Sequence, residues 1–256
     1  DLLDAYQTLS GLPVAISSRV VVTSDYGVAS ADAFTPYAGT LDPRADFTVG
    51  RRGIDYNGYG PHIGKEWIRA SFDDISGPYL PKKNTFQKTD TDNQGSGGWG
   101  EQLTGINYHI MRYADVLLMA AEAAVESGDE EKARGYVNKV RQRALNSTTI
   151  KATDGSDAAN YDIGLYNSSW AGAQSAARTA VRTERRLEFG MEGHRSFDLR
   201  RWGVAETVMN NYITRESQTI TSFAKGQAYQ GKHNMFPIPL SAIDGSGGVI
   251  SQNSGF

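Results

Sequence analysis

The sequence of 256 residues has 26 lysine and arginine residues against 29 aspartate and glutamate residues, a formal net charge of −3. A nucleic-acid partner normally requires a clear basic surplus to displace counterions, so this composition argues against one. The chain has no cysteine, which excludes disulfides, thiol nucleophiles and cysteine-ligated zinc, and no apolar run approaches the roughly 20 residues that span a bilayer.

The first residues, DLLDAYQTLSGLPV, contain neither an initiator methionine nor the basic and apolar regions of a signal peptide. The stretch is typical of the middle of a gene product. We therefore expect an upstream portion, together with any export signal or lipid-anchor cysteine that it carries.

Residues 1–105 are rich in Gly, Pro, Tyr, Ser and Asp and have few helical patterns. SSRVVVTSDYG, residues 17–27, predicts a short strand. Residues 41–69 and 77–100 are punctuated by Gly and Pro and predict long loops. Their many aromatic residues indicate that these loops are ordered rather than flexible.

Residues 107–145 change to a helical pattern and predict an antiparallel helical hairpin. Gly128 is placed to end the first helix and Asp129 to cap the second. The hairpin resembles one tetratricopeptide-type repeat, which cannot bury its own apolar face and needs partners elsewhere. The inner face of the first helix is predicted to contain Ile110, Tyr113, Val116, Leu117, Ala120, Ala121 and Ala124. That of the second is predicted to contain Ala133, Tyr136, Val137, Val140 and Ala144.

Helices are expected to resume over residues 174–190 and again from His194 to about Tyr212, followed by an extended Pro- and Gly-rich tail. The predicted fold class is mainly α. It comprises a tetratricopeptide-like hairpin, further helices, long structured loops and little β-structure.

The stretch VRTERRLEFGMEGHRSFDLRRWG, residues 181–203, mixes arginines with acidic and aromatic residues. One interpretation is a two-carboxylate hydrolase, with Glu184 or Glu188 as the acid and Asp198 as its partner. A catalytic acid needs a raised pKa, whereas neighbouring arginines lower the pKa of a carboxylate. The spacing supports ion pairs within and between helices. We therefore interpret the stretch as a structural network of ion pairs and predict that the chain is not an enzyme.

Residues 90–101, DTDNQGSGGWGE, place oxygen-bearing side chains partly at the spacing of an EF-hand calcium loop. Gln94 and Gly97 depart from that pattern and no helix is predicted before it, so a flexible polar loop is the better explanation. The four histidines form neither an HExxH motif nor an i, i+4 pair, which leaves a zinc-protease site unsupported. The sequence predicts no metal and no cofactor.

Aromatic residues in the Gly-rich loops are the candidates for ligand binding. Many of them are expected simply to belong to the core, but exposed rings on ordered loops make flat platforms for the C–H faces of sugars. The predicted binding residues are Tyr26, Tyr56, Tyr59, Trp67 and Trp99.

Several motifs in order resemble the SusD/RagB family of Bacteroidetes nutrient-binding lipoproteins. They are LLDAYQTLSGLPV, LDPRADFTVGRRG, NYHIMRYADVLLMAAEAA, RTERRLEFGMEGHRSFDLRRWG, and the closing FPIPLSAID and SQNSGF. The resemblance spans most of residues 1–256, with Ser254 and Phe256 where the family usually has Pro and Tyr. It implies the C-terminal portion of a helical protein whose N-terminal half, with most of the tetratricopeptide-like hairpins, is absent.

The resemblance also implies a function. Family members are surface-exposed outer-membrane lipoproteins, anchored through an upstream lipidated cysteine. They bind oligosaccharides or polysaccharides without cleaving them, and pair with a SusC-like TonB-dependent transporter. On this expectation residues 1–105 face the ligand, and residues 106–256 form the scaffold and tail. The rivals are a peptide-binding or protein-interaction helical adaptor, since some members handle peptides, and, with less support, a glycoside hydrolase.

Overall fold

The computed structural model describes residues 1–20, 22, 28–68, 78–96, 98, 103–218, 220–224 and 226–256. Its regular structure is mainly helical with long loops and a few two-residue strands, which confirms the predicted fold class. The chain divides into two compact units, Asp1–Gly193 and His194–Phe256. Within the described ranges, no helix combines the length and the apolar character needed to cross a membrane.

The predicted hairpin is formed by α2 (Tyr113–Glu126) and α3 (Glu130–Leu145). Gly128 joins them with a φ of 82°, a left-handed conformation that glycine adopts without strain. Asp129 caps α3, because its carboxylate accepts a hydrogen bond of 3.1 Å from the Lys132 backbone N–H. Local sequence signals therefore located this connection correctly.

A third helix, α4 (Gln174–Glu188), packs against both helices of the hairpin. The core between the three helices is made of small and branched apolar side chains together with two aromatic residues. Its buried members are Leu117, Leu118, Ala121, Ala124, Val125, Ala133, Val137, Val140, Trp170, Ala177, Val181 and Phe189.

The face of α2 that meets this core contains Leu117, Ala121 and Ala124, as predicted, but differs from the prediction at the start of the helix. Ile110, Tyr113 and Val116 were predicted to lie inside, but all three are exposed. Helical geometry begins only at Tyr113, since Arg112 has an extended backbone. The Asp115 carboxylate turns toward α4, where it accepts a 2.8 Å hydrogen bond from Arg185, and this pair brings the neighbouring Leu118 face inward.

Short elements organise the loop-rich first part of the chain, and most of them are 3₁₀ turns or two-residue strands. Strands β1 (Thr8–Leu9) and β2 (Leu12–Pro13) form an antiparallel hairpin whose turn residues, Ser10 and Gly11, both have positive φ. The strand predicted over residues 17–27 does not form in its described residues. The other elements are 3₁₀ turns at Leu3–Tyr6, Ile16–Ser18, Lys65–Trp67 and Thr91–Asn93, helix α1 (Ala45–Thr48), and strands β3 (Val49–Gly50) and β4 (Leu80–Pro81).

A second buried cluster joins the beginning of the chain to α4. Tyr6 is fully buried, and its hydroxyl donates a 2.8 Å hydrogen bond to the Leu187 carbonyl. Gly190 leaves room for this ring, because a Cβ at that position would lie 2.8 Å from the Tyr6 hydroxyl. The buried apolar members are Leu3, Ala5, Tyr6, Val22, Leu41, Ala45 and Leu187.

The second unit contains α5 (Arg195–Arg201), α6 (Ala205–Glu216), α7 (Thr221–Ala224) and α8 (Leu240–Gly245). One helix was predicted from His194 to about Tyr212, but Gly203 divides it with a φ of 67°. The tail is not simply extended either, since it forms α8 and a 3₁₀ turn over Gly231–Asn234.

Candidate ligand-binding site

A tight turn over residues 55–60 presents the first ring of the site. The Asp55 carboxylate accepts hydrogen bonds from the backbone N–H groups of Gly58, at 2.9 Å, and Gly60, at 3.2 Å. Asn57 and Gly58 both adopt positive φ, as this turn requires. At its tip the Tyr59 side chain is 40% exposed.

The segment that follows β4 holds this turn in place. The buried Lys82 ammonium donates to the Asp55 carbonyl at 2.8 Å, and burial lowers the pKa of this amine. The Asn57 amide donates to the Thr85 hydroxyl at 2.6 Å, and the Lys88 backbone N–H donates to the Asn57 carbonyl at 2.8 Å. Side-chain and backbone bonds together fix the turn against residues 82–88.

Two further rings stand behind Tyr59 in edge-to-face contact. The Tyr56 and Trp67 ring centroids are 5.9 Å apart at 75°, and both rings contact the buried His62. The Tyr56 hydroxyl donates to the Pro81 carbonyl at 2.6 Å. Trp67 ends the 3₁₀ turn that begins after Gly64, whose φ is 94°. The rings are therefore fixed by contacts on their edges and retain part of their surface for a ligand.

These rings line one pocket of about 590 Å³, a volume typical of small-molecule sites. Its aromatic wall consists of Tyr56, Tyr59, Trp67 and Phe86. The remaining lining residues are Glu66, Leu80, Asn84, Thr85 and Thr104. Flat ring faces beside amide, hydroxyl and carboxylate groups suit a ligand that offers both C–H faces and hydroxyls.

The structure brings together three of the five predicted binding residues, namely Tyr56, Tyr59 and Trp67. The other two, Tyr26 and Trp99, lie outside the described residues. Sequence reasoning missed Phe86 and Asn84. The available signal was that Phe86 sits in a Gly- and Pro-punctuated loop, in the same kind of setting as the rings that were chosen.

The acidic residues of α4 belong to a different structure, a network of ion pairs. Glu184 is fully buried and accepts hydrogen bonds from Arg44 at 2.7 Å and from Arg141 at 2.9 Å. Glu188, also buried, accepts from Arg44 at 2.9 Å, Arg112 at 2.5 Å and Arg143 at 2.8 Å. The ion-pair interpretation of these two glutamates is confirmed.

The protonation of Glu188 does not suit a general acid. Burial alone would raise its pKa, but the positive charges of Arg44, Arg112 and Arg143 outweigh burial and hold the pKa at about 2. Glu188 is therefore ionised at neutral pH and has no proton to donate. Its suggested partner Asp198 lies in the second unit, where it pairs with Arg201 at 2.9 Å.

In the suggested calcium loop, the Asp90 carboxylate already accepts hydrogen bonds from within the loop. The Asn93 amide donates to both carboxylate oxygens of Asp90, at 2.9 and 3.0 Å. Glu101 lies outside the described residues. Among the residues that the structure does describe, no group of three or more His, Cys, Asp or Glu side chains could hold a metal ion.

Comparison with known proteins places these features in context. The model of the SusD family matches residues 1–256. SusD-like protein P25 of Formosa agariphila is 31% identical over 170 residues, which are 66% of this chain and 27% of that protein. The crystal structure of a SusD-like protein from Bacteroides fragilis NCTC 9343 superposes with a TM-score of 0.58 at 22% identity, over 100% of this chain and 46% of the other.

Surface glycan-binding protein A from Bacteroides thetaiotaomicron superposes with a TM-score of 0.50 at 23% identity, over 83% of this chain and 38% of the other. At these identities the two structures show a shared fold and nothing about ligands. The chain spans less than half the length of each of these three proteins.

Proposed function

The chain belongs to the SusD family, and on that premise we propose that it binds an oligosaccharide or polysaccharide without cleaving it. One observation carries the proposal: Tyr56, Tyr59 and Trp67 share a pocket of about 590 Å³ with hydrogen-bonding side chains. Sugar rings offer C–H faces for stacking and hydroxyls for hydrogen bonds, so they match both parts of this lining.

The wider role that we propose follows the family. The protein is a surface-exposed lipoprotein of the outer membrane, anchored through an upstream lipidated cysteine, and it delivers its ligand to a SusC-like TonB-dependent transporter. Residues 1–105 contribute the ligand-facing part, and residues 106–256 the scaffold and tail. Tyr26 and Trp99 join the three pocket rings in binding.

Isothermal titration calorimetry against a panel of oligosaccharides, with peptides as a second panel, tests the ligand class. In the variants Tyr59→Ala and Trp67→Ala, we expect affinity for the bound oligosaccharide to fall about tenfold, because one stacking face is lost in each. Tyr113→Ala is the matched control, since Tyr113 is an exposed tyrosine of the same unit that does not line the pocket.

Two results would overturn the proposal. Binding of peptides but of no oligosaccharide would favour the adaptor function instead. Unchanged affinity in both ring variants would remove these rings from the site. A parallel assay for released reducing sugar tests catalysis directly, and we expect no release.

A further inference from the structure

A second cavity, of about 370 Å³, lies beside the ion-pair network of the first unit. Its lining includes four basic side chains, Arg44, Lys83, Arg112 and Arg143, but only two acidic ones, Glu188 and Glu192. Phe47 and Thr148 complete part of the wall. The volume falls within the range of small-ligand sites and is separate from the aromatic pocket.

The network around this cavity contains more positive than negative charge. Its acidic members are Asp42, Glu184, Glu188 and Glu192, and its basic members are Arg44, Lys83, Arg112, Arg141 and Arg143. Five basic groups against four carboxylates leave one positive charge without a counterpart inside the network. A charge in a partly enclosed cavity attracts an anion more strongly than one in open solvent.

Arg143 is the most exposed basic group of this network. Its Nη2 donates to both Glu188 oxygens at 2.8 Å, while its side chain is 58% exposed. Its Nε and Nη1 groups donate to no acceptor within the described part of the chain. A guanidinium with free N–H groups matches the paired oxygens of a carboxylate or a sulfate.

Lys83 supplies a second donor to the cavity wall. Its ammonium donates to the Glu188 carbonyl and the Glu192 carboxylate, both at 2.7 Å, which leaves a third N–H. Burial lowers the pKa of this amine, and the neighbouring Arg112 lowers it further, despite the attraction of Glu192. A bound anion would offset both effects.

We propose that this cavity binds the oxyanion group, a carboxylate or a sulfate, of a ligand about the size of one sugar ring. The guanidinium of Arg143 and the ammonium of Lys83 would hold the oxygens, and the Thr148 hydroxyl would add a donor. The half-exposed ring of Phe47 would cover an apolar face of the ligand. None of these residues lines the aromatic pocket, so this proposal stands independently of the oligosaccharide proposal.

Calorimetry with four probes in 0.15 M NaCl tests the cavity: D-glucuronate, D-glucose 6-sulfate, D-glucose and inorganic sulfate. We expect one or both acidic sugars to bind and glucose not to bind, and the affinity to weaken as salt is raised. The two acidic sugars distinguish a carboxylate from a sulfate ligand. Three results would each overturn the proposal: glucose binds as tightly as the acidic sugars, neither acidic sugar binds, or only inorganic sulfate binds.

Variants then assign the binding to the cavity. Arg143→Gln should weaken binding of the acidic sugar about tenfold, and Arg143→Lys, which keeps the charge but loses the paired N–H groups of the guanidinium, should weaken it by less. In both variants Glu188 retains its ion pairs with Arg44 and Arg112, so circular dichroism should show an unchanged fold.

Lys132→Gln is the matched control, since it removes one exposed positive charge from the same helix. It lies eleven residues from Arg143, about 16 Å along α3 and beyond the screening length in this buffer. Equal weakening in Lys132→Gln, or none in Arg143→Gln, would refute the assignment.

Discussion

The ion pairs of Glu188 make a quantitative prediction about stability and pH. Glu188 has 1% of its side chain exposed and is bonded by three arginines from three different parts of the chain. Replacing it by glutamine removes the charge that these arginines share while keeping nearly the same shape. The variant should be less stable than the wild type at neutral pH, because Arg44, Arg112 and Arg143 lose a carboxylate that they share, while Arg44 keeps only Asp42 and Glu184 and Arg112 only Glu192.

The magnitude follows from the pKa of Glu188, which the arginines lower from 4.5 to about 2. That difference corresponds to roughly 3 kcal/mol of stability. Since the folded-state pKa is depressed, this contribution is fully present above the unfolded-state pKa and is lost as pH falls through the folded-state pKa. Roughly 2 kcal/mol of it should disappear between pH 5 and pH 3.

Urea unfolding followed by circular dichroism at pH 7, 5, 4 and 3 measures this contribution. Other carboxylates also titrate in this range, so the informative quantity is the difference between wild type and Glu188→Gln. We expect the wild type to lose about 2 kcal/mol more than the variant between pH 5 and pH 3. Glu126→Gln is the control: Arg178 also lowers the pKa of Glu126, but this ion pair is exposed and screened by solvent, so its removal should change the pH dependence much less than Glu188→Gln does.

Two outcomes would refute this reasoning. If Glu188→Gln showed the same pH dependence as the wild type, Glu188 would not be held ionised by its arginines. If Glu126→Gln flattened the pH dependence equally, general charge effects rather than the buried network would be responsible.

Three further substitutions test individual parts of the scaffold, all by urea unfolding. Asp129→Ala removes the cap of α3 and should cost about 1 kcal/mol, and an unchanged unfolding midpoint would contradict the cap. Gly203→Ala should cost about 1 kcal/mol through backbone strain alone, because nothing lies within 4 Å of the added Cβ, and stabilisation would contradict this. Arg141→Met leaves the buried Glu184 without one of its two arginines and should cost about 3–5 kcal/mol. Adding Glu184→Gln should recover part of that loss, and strictly additive losses would argue against the pair.

The fold could be predicted where the determining signals are local. Gly128 and Asp129 mark a helix end and a helix start by their own backbone and capping chemistry, so the hairpin was correctly placed. The inner face of α2 depends instead on a contact with a distant partner, the ion pair between Asp115 and Arg185. Because the predicted face was built from apolar side chains alone, the burial of an aspartate could not be anticipated.

The same distinction applies to the candidate site. Tyr56, Tyr59 and Trp67 lie within twelve residues of one another, in a Gly-rich loop whose composition predicted exposed aromatic rings. Phe86 and Asn84 reach the pocket from another loop, through the pairing of β3 with β4. Two-residue strands leave no alternating pattern in a sequence, so this pairing and the residues that it delivers were invisible before the structure.

Two adjacent lysines connect the aromatic pocket to the ion-pair network. The two lysines directly follow β4. The Lys82 backbone N–H extends the pairing of β3 with β4, because it donates to the Thr48 carbonyl at 3.0 Å. Neighbouring side chains of an extended strand point in opposite directions, so Lys82 reaches the Asp55 turn while Lys83 reaches Glu188 and Glu192.

The turn that presents Tyr59 is thus fixed, through two lysines, to the ion-paired C-terminal end of α4. A ring held in this way loses little freedom when a ligand stacks on it, and such preorganisation strengthens binding without adding a contact. On the proposed function, the charged residues of α4 would therefore contribute to recognition at a distance, by stiffening the loop that presents the rings rather than by touching the ligand in that pocket.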